Sequence, residues 1–371
     1  MRIRGGKQLT TGGAVALAAV AIAACSSSPS TTTPPADATT SAPATSPSST
    51  AASTAVSGTL NGAGSSFQNT YQESATQAFK SVQSGMTVNY NSVGSGTGRT
   101  DLASNVVQFA GSDSPISATE LPSFKGKTVL YFPVVIGPIT ISYNLSNVSN
   151  LKLSASVLAQ IFSGKITNWS NSAIKSLNPG VTLPNEAITP AVRSDSSGTT
   201  QNFALFLQTA APSDWSLGDQ STVKWPSNAR AGAQNTGVAQ IVKSTPGAIG
   251  YVDYADAKAS GLTAASIENK AGNFVAPSTT AASASAAGVT VASNLTFHAV
   301  WGSGAQAYPI TYQSWVLVYA QQPNANDVAM LKAYIGYLIG DGQSLLPSLG
   351  YAPLPSNIDS MAKAQLNQIT S

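Results

Sequence analysis

The stretch MTVNYNSVGSGTGRTDLASNVVQF, residues 86–109, contains a strand signal, a glycine-rich turn and the start of a helix. Residues 86–93 are rich in β-branched and aromatic side chains, which is typical of a strand. Residues 94–98, GSGTG, interrupt that pattern just before a predicted helix. Residues 129–144 predict another strand, and the apolar spacing over 71–82 predicts another helix. Strands that alternate with helices indicate an α/β fold.

Three glycine-containing turns precede predicted helices. They are GAGSSF at 62–67, GSGTG at 94–98 and SSGTT at 196–200. A helix start presents free backbone N–H groups at the positive end of the helix dipole, and small residues leave room for an anion. Capping alone explains one such turn. Three of them in one chain favour an oxyanion site.

The third turn follows an arginine in RSDSSGTTQNF, residues 193–203, within a chain that has only 9% charged residues. The guanidinium of Arg193 can bind a tetrahedral oxyanion through two parallel N–H bonds. The G-x-x-x-x-G-K-[ST] pattern of a nucleotide-binding loop does not occur in the sequence. We therefore expect a small free anion as the ligand, with no metal and no cofactor.

Asp113 follows an apolar segment in FAGSDSPIS, residues 109–117. An aspartate before Ser-Pro is commonly a turn former. If its carboxylate instead faces the anion site, repulsion is avoided only when the ligand donates a proton. Hydrogen phosphate carries such a proton near neutral pH and sulfate does not, so this residue would discriminate between them.

The N-terminus has the pattern of a secretory signal. Arg2, Arg4 and Lys7 precede an apolar segment that ends at Cys25, the only cysteine of the chain. Residues 1–24 resemble a bacterial lipoprotein signal peptide, so Cys25 is the expected lipid attachment site. A plain signal peptide is the alternative. One cysteine excludes an intramolecular disulfide and a cysteine metal site.

Residues 25–57 contain mainly Ser, Thr, Pro and Ala and predict a disordered tether. Without the three basic residues of the signal, the 18 Lys and Arg fall to the same number as the 15 Asp and Glu. Balanced charge gives no general attraction for nucleic acid. We expect an extracytoplasmic protein that is lipid-anchored to the cell membrane, with no nucleic-acid partner.

Seven motifs follow one another along residues 58–371. They are GAGSSF, NYNSVGSGTGR, FAGSDSPIS, SGKITNWSNSAIKSLNPGVTLP, RSDSSGTTQNF, TPGAIGYVDYADAK and YPIT. By these motifs, residues 58–371 resemble the substrate-binding lipoproteins of bacterial phosphate ABC importers. The resemblance implies a type II periplasmic-binding-protein fold, with lobe I at 58–137 plus 308–371, lobe II at 138–307 and one phosphate in the cleft between them. It also implies a monomer that delivers phosphate to a permease and ATPase complex and has no enzyme activity.

The family's phosphate contacts transfer to matching positions of this sequence. By this resemblance, Asp113 accepts the phosphate proton and Arg193 holds the oxygens, while Asp195 orients Arg193. Hydroxyl and backbone N–H donors come from the three helix starts. The residues expected to contact phosphate are Ser66, Phe67, Ser95, Asp113, Arg193, Ser197, Gly198 and Thr199.

Two positions depart from the family pattern. Ser196 stands where the family often has glycine, and it would be strained if the position requires a positive φ. Arg99 is an additional charge directly after the second glycine turn, and a solvated position is expected for it. Neither residue is expected to contact phosphate.

Two alternatives remain at this point. One is a receptor for sulfate, molybdate or another oxyanion on the same fold. The other is a secreted serine hydrolase or phosphatase, suggested by the glycine-flanked serines. Ser95 lacks the first glycine of G-x-S-x-G, and His298, the only histidine, lies in an apolar segment and is expected to be structural.

Overall fold

The structure, a computed structural model, describes residues 56–371. The predicted signal peptide at 1–24, Cys25 and nearly all of the tether at 25–57 lie outside these residues. Strands and helices alternate along the described chain, which confirms the predicted α/β fold. The strands are β1 (Gly58–Gly64), β2 (Met86–Ser92), β3 (Phe109–Ser112), β4 (Val129–Tyr143), β5 (Lys152–Leu153), β6 (Thr189–Arg193), β7 (Arg230–Gly232), β8 (Ala248–Asp253), β9 (Thr263–Ala264), β10 (Ser266–Glu268), β11 (Phe274–Val275) and β12 (Thr311–Tyr319).

The helices flank the strands. They are α1 (Asn69–Phe79), α2 (Ser95–Ala103), α3 (Ala155–Phe162), α4 (Ser172–Leu177), α5 (Gly198–Ala210), α6 (Gln234–Ser244), α7 (Tyr254–Ala259), α8 (Thr279–Ala286), α9 (Ala325–Leu338), α10 (Leu346–Leu349) and α11 (Ser356–Gln365). The helices predicted after the three glycine turns are α1, α2 and α5. Among residues 56–371, no helix has the length and apolar character needed to cross a bilayer.

Nine strands form one mixed sheet in the order β2-β1-β3-β12-β4-β8-β6-β7, with β9 paired to β4. β1 pairs in parallel with β2 and β3, and β6 pairs in parallel with β7 and β8. β12 pairs antiparallel with both β3 and β4, and β8 pairs antiparallel with β4. A smaller sheet has the order β11-β10-β5.

β4 runs through the middle of the large sheet and pairs with different partners along its length. Residues 129–138 pair with β12, and residues 139–143 pair with β8. All of its residues except Val129 are buried, which explains its nearly continuous apolar sequence. The predicted lobes, 58–137 plus 308–371 and 138–307, stay a prediction. β4 crosses the first predicted boundary, and β12 begins shortly after the second.

The Ala-rich segment 278–293 divides into a helix and a loop. α8 occupies its first half, capped by Ser278, whose hydroxyl accepts from Ala281 N. Ala281, Ala282 and Ala286 are buried, so small side chains here allow close packing against the sheet. The buried face of α8 is thus part of the core, whereas residues 287–293 are exposed or half-buried, and no chemistry is assigned to the segment.

Candidate functional site

The carboxylate of Asp113 lies at the centre of a polar cluster just after β3. Asp113 is 1% exposed. Its Oδ1 accepts hydrogen bonds from Ser65 Oγ at 2.5 Å and Ser314 Oγ at 2.5 Å. Its Oδ2 accepts from Ser95 Oγ at 3.2 Å, at the start of α2. An ionised carboxylate has about four acceptor positions, so these three bonds leave one of them, on Oδ2, for a further donor.

Burial raises the pKa of Asp113 above its ordinary value. The hydrogen bonds from Ser314 and Ser65, the charge of Arg193 and the hydrogen bond from Ser95 oppose this rise without cancelling it. All four stabilise the charged form. Asp113 is therefore a desolvated carboxyl group whose hydrogen-bond donors and neighbouring charge favour its ionised form, which accepts hydrogen bonds.

Ser314 reaches Asp113 because β12 pairs antiparallel with β3, next to a bulge in β4 at Val134. The pairing of β12 with β4 shifts between Ser314 and Trp315, so that Ser314 is opposite Val135 while Trp315 is opposite Pro133. β-Bulges of this kind redirect a side chain and are frequent next to functional sites. Trp315 also pairs with Ser112 of β3, which places Ser314 beside Asp113.

Arg193, the last residue of β6, brings a positive charge to the same cluster. Its side chain is 1% exposed. Nε donates to Asp195 Oδ1 at 2.8 Å, and Nη2 donates to Asp195 Oδ2. Within residues 56–371, the single hydrogen bond of Nη1 is a long one to Thr199 Oγ1, at 3.5 Å. The guanidinium is thus held along one edge by Asp195, and the edge that carries Nη1 remains available to a ligand.

Asp195 has the opposite pKa shift from Asp113. Burial opposes its ionisation, but the hydrogen bond and the charge of Arg193 outweigh burial and lower the pKa of Asp195. The backbone N–H of Gln234 also donates to Asp195 Oδ1, at 3.0 Å. Asp195 is therefore a charged partner of Arg193, and its role in orienting Arg193 for a ligand stays a prediction.

The start of α5 packs directly against Asp113. Ser197 is the N-cap, and its Oγ accepts from Thr200 N at 3.1 Å. A side chain at Gly198 would place its Cβ 2.6 Å from Asp113 Cβ and 2.6 Å from Ser95 Oγ, so only glycine fits there. The N–H groups of Gly198 and Thr199 have no bonded acceptor within residues 56–371.

Asn235, at the start of α6, connects two of the predicted hydroxyl donors. Its Nδ2 donates to Ser66 Oγ at 3.2 Å and to Thr199 Oγ1 at 3.4 Å. Because both hydroxyls accept a bond from Asn235, their own hydrogens remain available to a ligand. Asn235 is fully buried, and its Oδ1 lacks a hydrogen-bond partner in the part of the chain that the structure describes.

Several hydrogen bonds join β2, β3 and α2 to α5 and α6 around the site. Gly96 N donates to Ser196 O at 3.0 Å, and Gln234 Nε2 donates to Ser92 O at 2.5 Å. Asn202 Nδ2 donates to Asp113 O at 2.7 Å. Together with the burial of Asp113 and Arg193, these bonds make this a closed arrangement that excludes solvent from the cluster.

The structure brings the sequence-predicted side chains together, with one change of detail. The N–H of Phe67 donates to Ser65 Oγ at 3.1 Å, so a ligand contact there has to share or replace that bond. The ligand roles of the predicted residues stay a prediction. The polar residues that sequence reasoning missed are Ser65, Asn202, Gln234, Asn235 and Ser314.

Of the two departures from the family pattern, Ser196 does not meet the condition for strain, and the solvated position expected for Arg99 is wrong. Ser196 is not among the residues with positive φ, so its backbone conformation suits serine. Arg99 is not solvated: its side chain is 3% exposed and its Nε donates to Glu120 Oε1 at 2.8 Å. Its Nη1 donates to Ser112 Oγ at 2.8 Å and Ser114 Oγ at 3.0 Å. The local sequence hides this because Glu120 lies 21 residues away.

The geometry does not favour a serine hydrolase. Ser95 donates to Asp113, whereas His298 is an exposed residue and makes no hydrogen bond to Ser95 within residues 56–371. A nucleophilic serine requires an adjacent base, so this pairing lacks the central member of a triad. No group of three or more His, Cys, Asp or Glu side chains in the described residues is arranged to hold a metal ion.

Two cavities lie outside the Asp113 cluster. One of about 1080 Å³ is lined by Lys125, Lys127, Tyr319 and the C-terminal Ser371, among others. Another of about 300 Å³ borders Arg99 and Glu120. Neither is lined by Asp113 or Arg193, and we place the candidate site at the buried cluster because its charges, hydroxyls and helix starts converge there.

Comparison with known proteins gives consistent matches. A family model described as a PBP superfamily domain matches residues 49–341. Phosphate-binding protein PstS 3 of Mycobacterium tuberculosis is 36% identical over 324 residues, covering 84% of this chain and 86% of that protein. Phosphate-binding protein PstS of Pasteurella multocida is 34% identical over 313 residues, covering 83% and 89%.

Solved structures show the same fold. A phosphate-binding protein from Stenotrophomonas maltophilia matches with a TM-score of 0.67 at 22% identity, covering 83% of this chain and 93% of that one. A phosphate ABC transporter substrate-binding protein from Clostridium perfringens matches with a TM-score of 0.60 at 15% identity, covering 80% and 100%. With the family match, these comparisons confirm the predicted periplasmic-binding-protein fold with mixed sheets and flanking helices.

Proposed function

Because this chain belongs to the PBP superfamily and, within it, to the PstS phosphate-binding proteins, we propose that it binds inorganic phosphate outside the cytoplasm and delivers it to an ABC importer. The observation that carries the proposal is the buried carboxylate of Asp113, which keeps one acceptor position on Oδ2 beside the guanidinium of Arg193. Such a pair suits an anion that also donates a proton.

Hydrogen phosphate satisfies both groups. Its P–OH donates to Asp113 Oδ2, while its unprotonated oxygens accept from Arg193 Nη1 and from the free N–H groups of Gly198 and Thr199. Sulfate has no proton near neutral pH, so one of its oxygens would face the carboxylate without a hydrogen bond. A desolvated site makes such a mismatch costly, and this favours phosphate over sulfate and molybdate.

The positive character of the site is local. Arg193 and the starts of α1, α2 and α5 supply the charge and dipoles that a chain of balanced charge otherwise lacks. Release of phosphate requires the contacts between Gly96 and Ser196, and between Gln234 and Ser92, to open. We assign these two contacts to the closed form that phosphate stabilises by binding it preferentially.

The cellular setting is part of the same proposal. The signal at 1–24 directs export, Cys25 carries the lipid, and residues 25–57 tether a monomeric two-lobed body to the membrane. The partners are the permease and the ATPase of the importer. The site binds without catalysis, since the hydroxyl of Ser95 donates to Asp113 and no histidine contacts Ser95 within residues 56–371.

Calorimetry on the wild-type protein, after unfolding and refolding to remove bound ligand, tests the proposal. We expect phosphate to bind at one site with a Kd in the micromolar range or below. We also expect sulfate to compete at least about 100-fold less well at two pH values near neutrality, while arsenate, which carries a comparable proton, competes. Absence of phosphate binding, or equal competition by sulfate, contradicts the proposal.

A further inference from the structure

Tyr312, in β12, has a buried hydroxyl that the fold does not satisfy. The residue is fully buried, and its OH has no hydrogen-bond partner within residues 56–371. A buried hydroxyl without a partner costs free energy, and such groups in a native structure call for an explanation. Tyr308, four residues earlier, is also fully buried, but its OH donates to Ile139 O at 2.9 Å.

The ring of Tyr312 is fixed at the edge of the anion site. It stacks on the ring of Phe67, with centroids 4.0 Å apart and an interplanar angle of 29°. Tyr312 pairs with Gly137 of β4, where a Cβ would come within 3.0 Å of the Phe67 ring, so this glycine makes room for the stack. Phe67 directly follows Ser66, which carries one of the free hydroxyl hydrogens.

The hydroxyl of Tyr312 is close enough to Thr199 for that side chain to lower its pKa. Burial and the charges of Asp253 and Asp113 raise the pKa of Tyr312 well above its ordinary value, and only the hydroxyl of Thr199 opposes this rise. Tyr312 therefore keeps its proton at any physiological pH. The second unsatisfied atom, Oδ1 of Asn235, belongs to the side chain that donates to Thr199 and Ser66.

We propose that the hydroxyl of Tyr312 donates a hydrogen bond to the bound anion and is a further contact that determines affinity, beside Ser66 and Thr199. The inference rests on the proposed function. Because tyrosine donates to an unprotonated oxygen, this contact strengthens the binding of phosphate and sulfate alike. It thus sets affinity for a compact oxyanion, whereas Asp113 sets the choice between oxyanions.

The test compares Tyr312→Phe with Tyr308→Phe, each of which removes one buried hydroxyl and keeps the ring. Phosphate affinity is measured by calorimetry, and the melting temperature is measured on ligand-free protein. We expect Tyr312→Phe to weaken phosphate binding about 10-fold while its melting temperature equals or exceeds that of the wild type. We expect Tyr308→Phe to bind phosphate within about twofold of the wild type and to melt a few degrees lower.

The two failures are distinguishable. If the wild type itself does not bind phosphate, the proposed function fails. If the wild type binds phosphate and Tyr312→Phe binds it equally well, the hydroxyl of Tyr312 does not contact the anion, and this inference is overturned. A lower melting temperature of Tyr312→Phe together with unchanged affinity overturns it as well. A phosphate-to-sulfate ratio that stays at the wild-type value in Tyr312→Phe, with both affinities reduced, supports it.

Discussion

Arg193 and Arg99 are both buried guanidinium groups paired with a carboxylate, and they differ in what their remaining N–H groups contact. Arg193 uses Nε and Nη2 for Asp195 and leaves Nη1 with one long contact to Thr199. Arg99 uses Nε for Glu120 and Nη1 for the hydroxyls of Ser112 and Ser114. The comparison shows that burial and ion pairing do not identify a ligand-binding arginine. A ligand-binding arginine is identified instead by an N–H edge that has no strong partner and faces other free hydrogen-bond donors.

Arg99 supports the site through contacts on both sides of Asp113, without being an expected ligand contact itself. Ser112 and Ser114 flank Asp113 in the sequence, and Arg99 lies one helical turn after Ser95 on α2. The guanidinium therefore ties the start of α2 to the segment that carries Asp113. We interpret Arg99 as a structural residue that supports the position of a ligand-binding carboxylate.

The largest expected loss of phosphate affinity comes from replacing Arg193 by lysine. Arg193→Lys should weaken phosphate binding about 100-fold, because an ammonium cannot hold Asp195 and the anion with one planar group. Arg99→Lys is the matched control and should bind within about threefold of the wild type. Calorimetry under identical conditions measures both. Equal losses of phosphate affinity in Arg193→Lys and Arg99→Lys would contradict the different roles assigned to these arginines.

Removing the charge of Arg99 should affect folding more than binding. Arg99→Met leaves Glu120, whose side chain is 30% exposed, without its partner, and we expect a loss of about 2 kcal/mol in the free energy of unfolding. The double variant Arg99→Met with Glu120→Gln should recover part of that loss. Urea unfolding of ligand-free protein measures it. An unchanged unfolding midpoint in Arg99→Met would show that the pair of Arg99 and Glu120 does not stabilise the fold.

Asp195→Asn tests the partner of Arg193 and has a pH signature. The lowered pKa of Asp195 means that its ion pair stabilises the folded state above the ordinary aspartate pKa of about 4 and that this contribution is lost as the pH falls through the lower folded pKa. The variant should lack this acid-dependent loss of stability. It should also bind phosphate about 10-fold more weakly, since Arg193 loses its orientation. Thermal melts of wild type and variant between about pH 3 and 6 compare the slopes, and parallel slopes contradict the assignment.

The smallest expected effect is at Ser196, where the sequence suggested strain. Since Ser196 does not have a positive φ, Ser196→Gly gains nothing from the freedom of glycine and should cost about 0.5–1 kcal/mol. Its Oγ also lies 2.9 Å from Ser221 Oγ, and this contact is lost in the variant. Phosphate affinity should stay within twofold of the wild type. A higher melting temperature for Ser196→Gly than for the wild type would show that the backbone at Ser196 is strained.

The sequence predicts the parts of this site that depend on local patterns. The order of strand, glycine turn and helix at 86–109 predicts β2 and α2, and the same logic places the starts of α1 and α5 correctly. Long-range geometry lies beyond such patterns. Ser314 reaches Asp113 through the pairing of β12 with β3 although 201 residues separate them in the sequence, and 169 residues separate Asn235 from Ser66.

The central claim is that the carboxylate of Asp113 selects phosphate by accepting its proton, and competition calorimetry with Asp113→Asn tests it most directly. In the variant, the amide can donate to a fully deprotonated anion, so we predict that the preference for phosphate over sulfate falls by about 100-fold or more relative to the wild type. Tyr312→Phe, measured alongside, should keep the wild-type preference. A wild-type ratio of phosphate to sulfate affinity in Asp113→Asn would contradict the account.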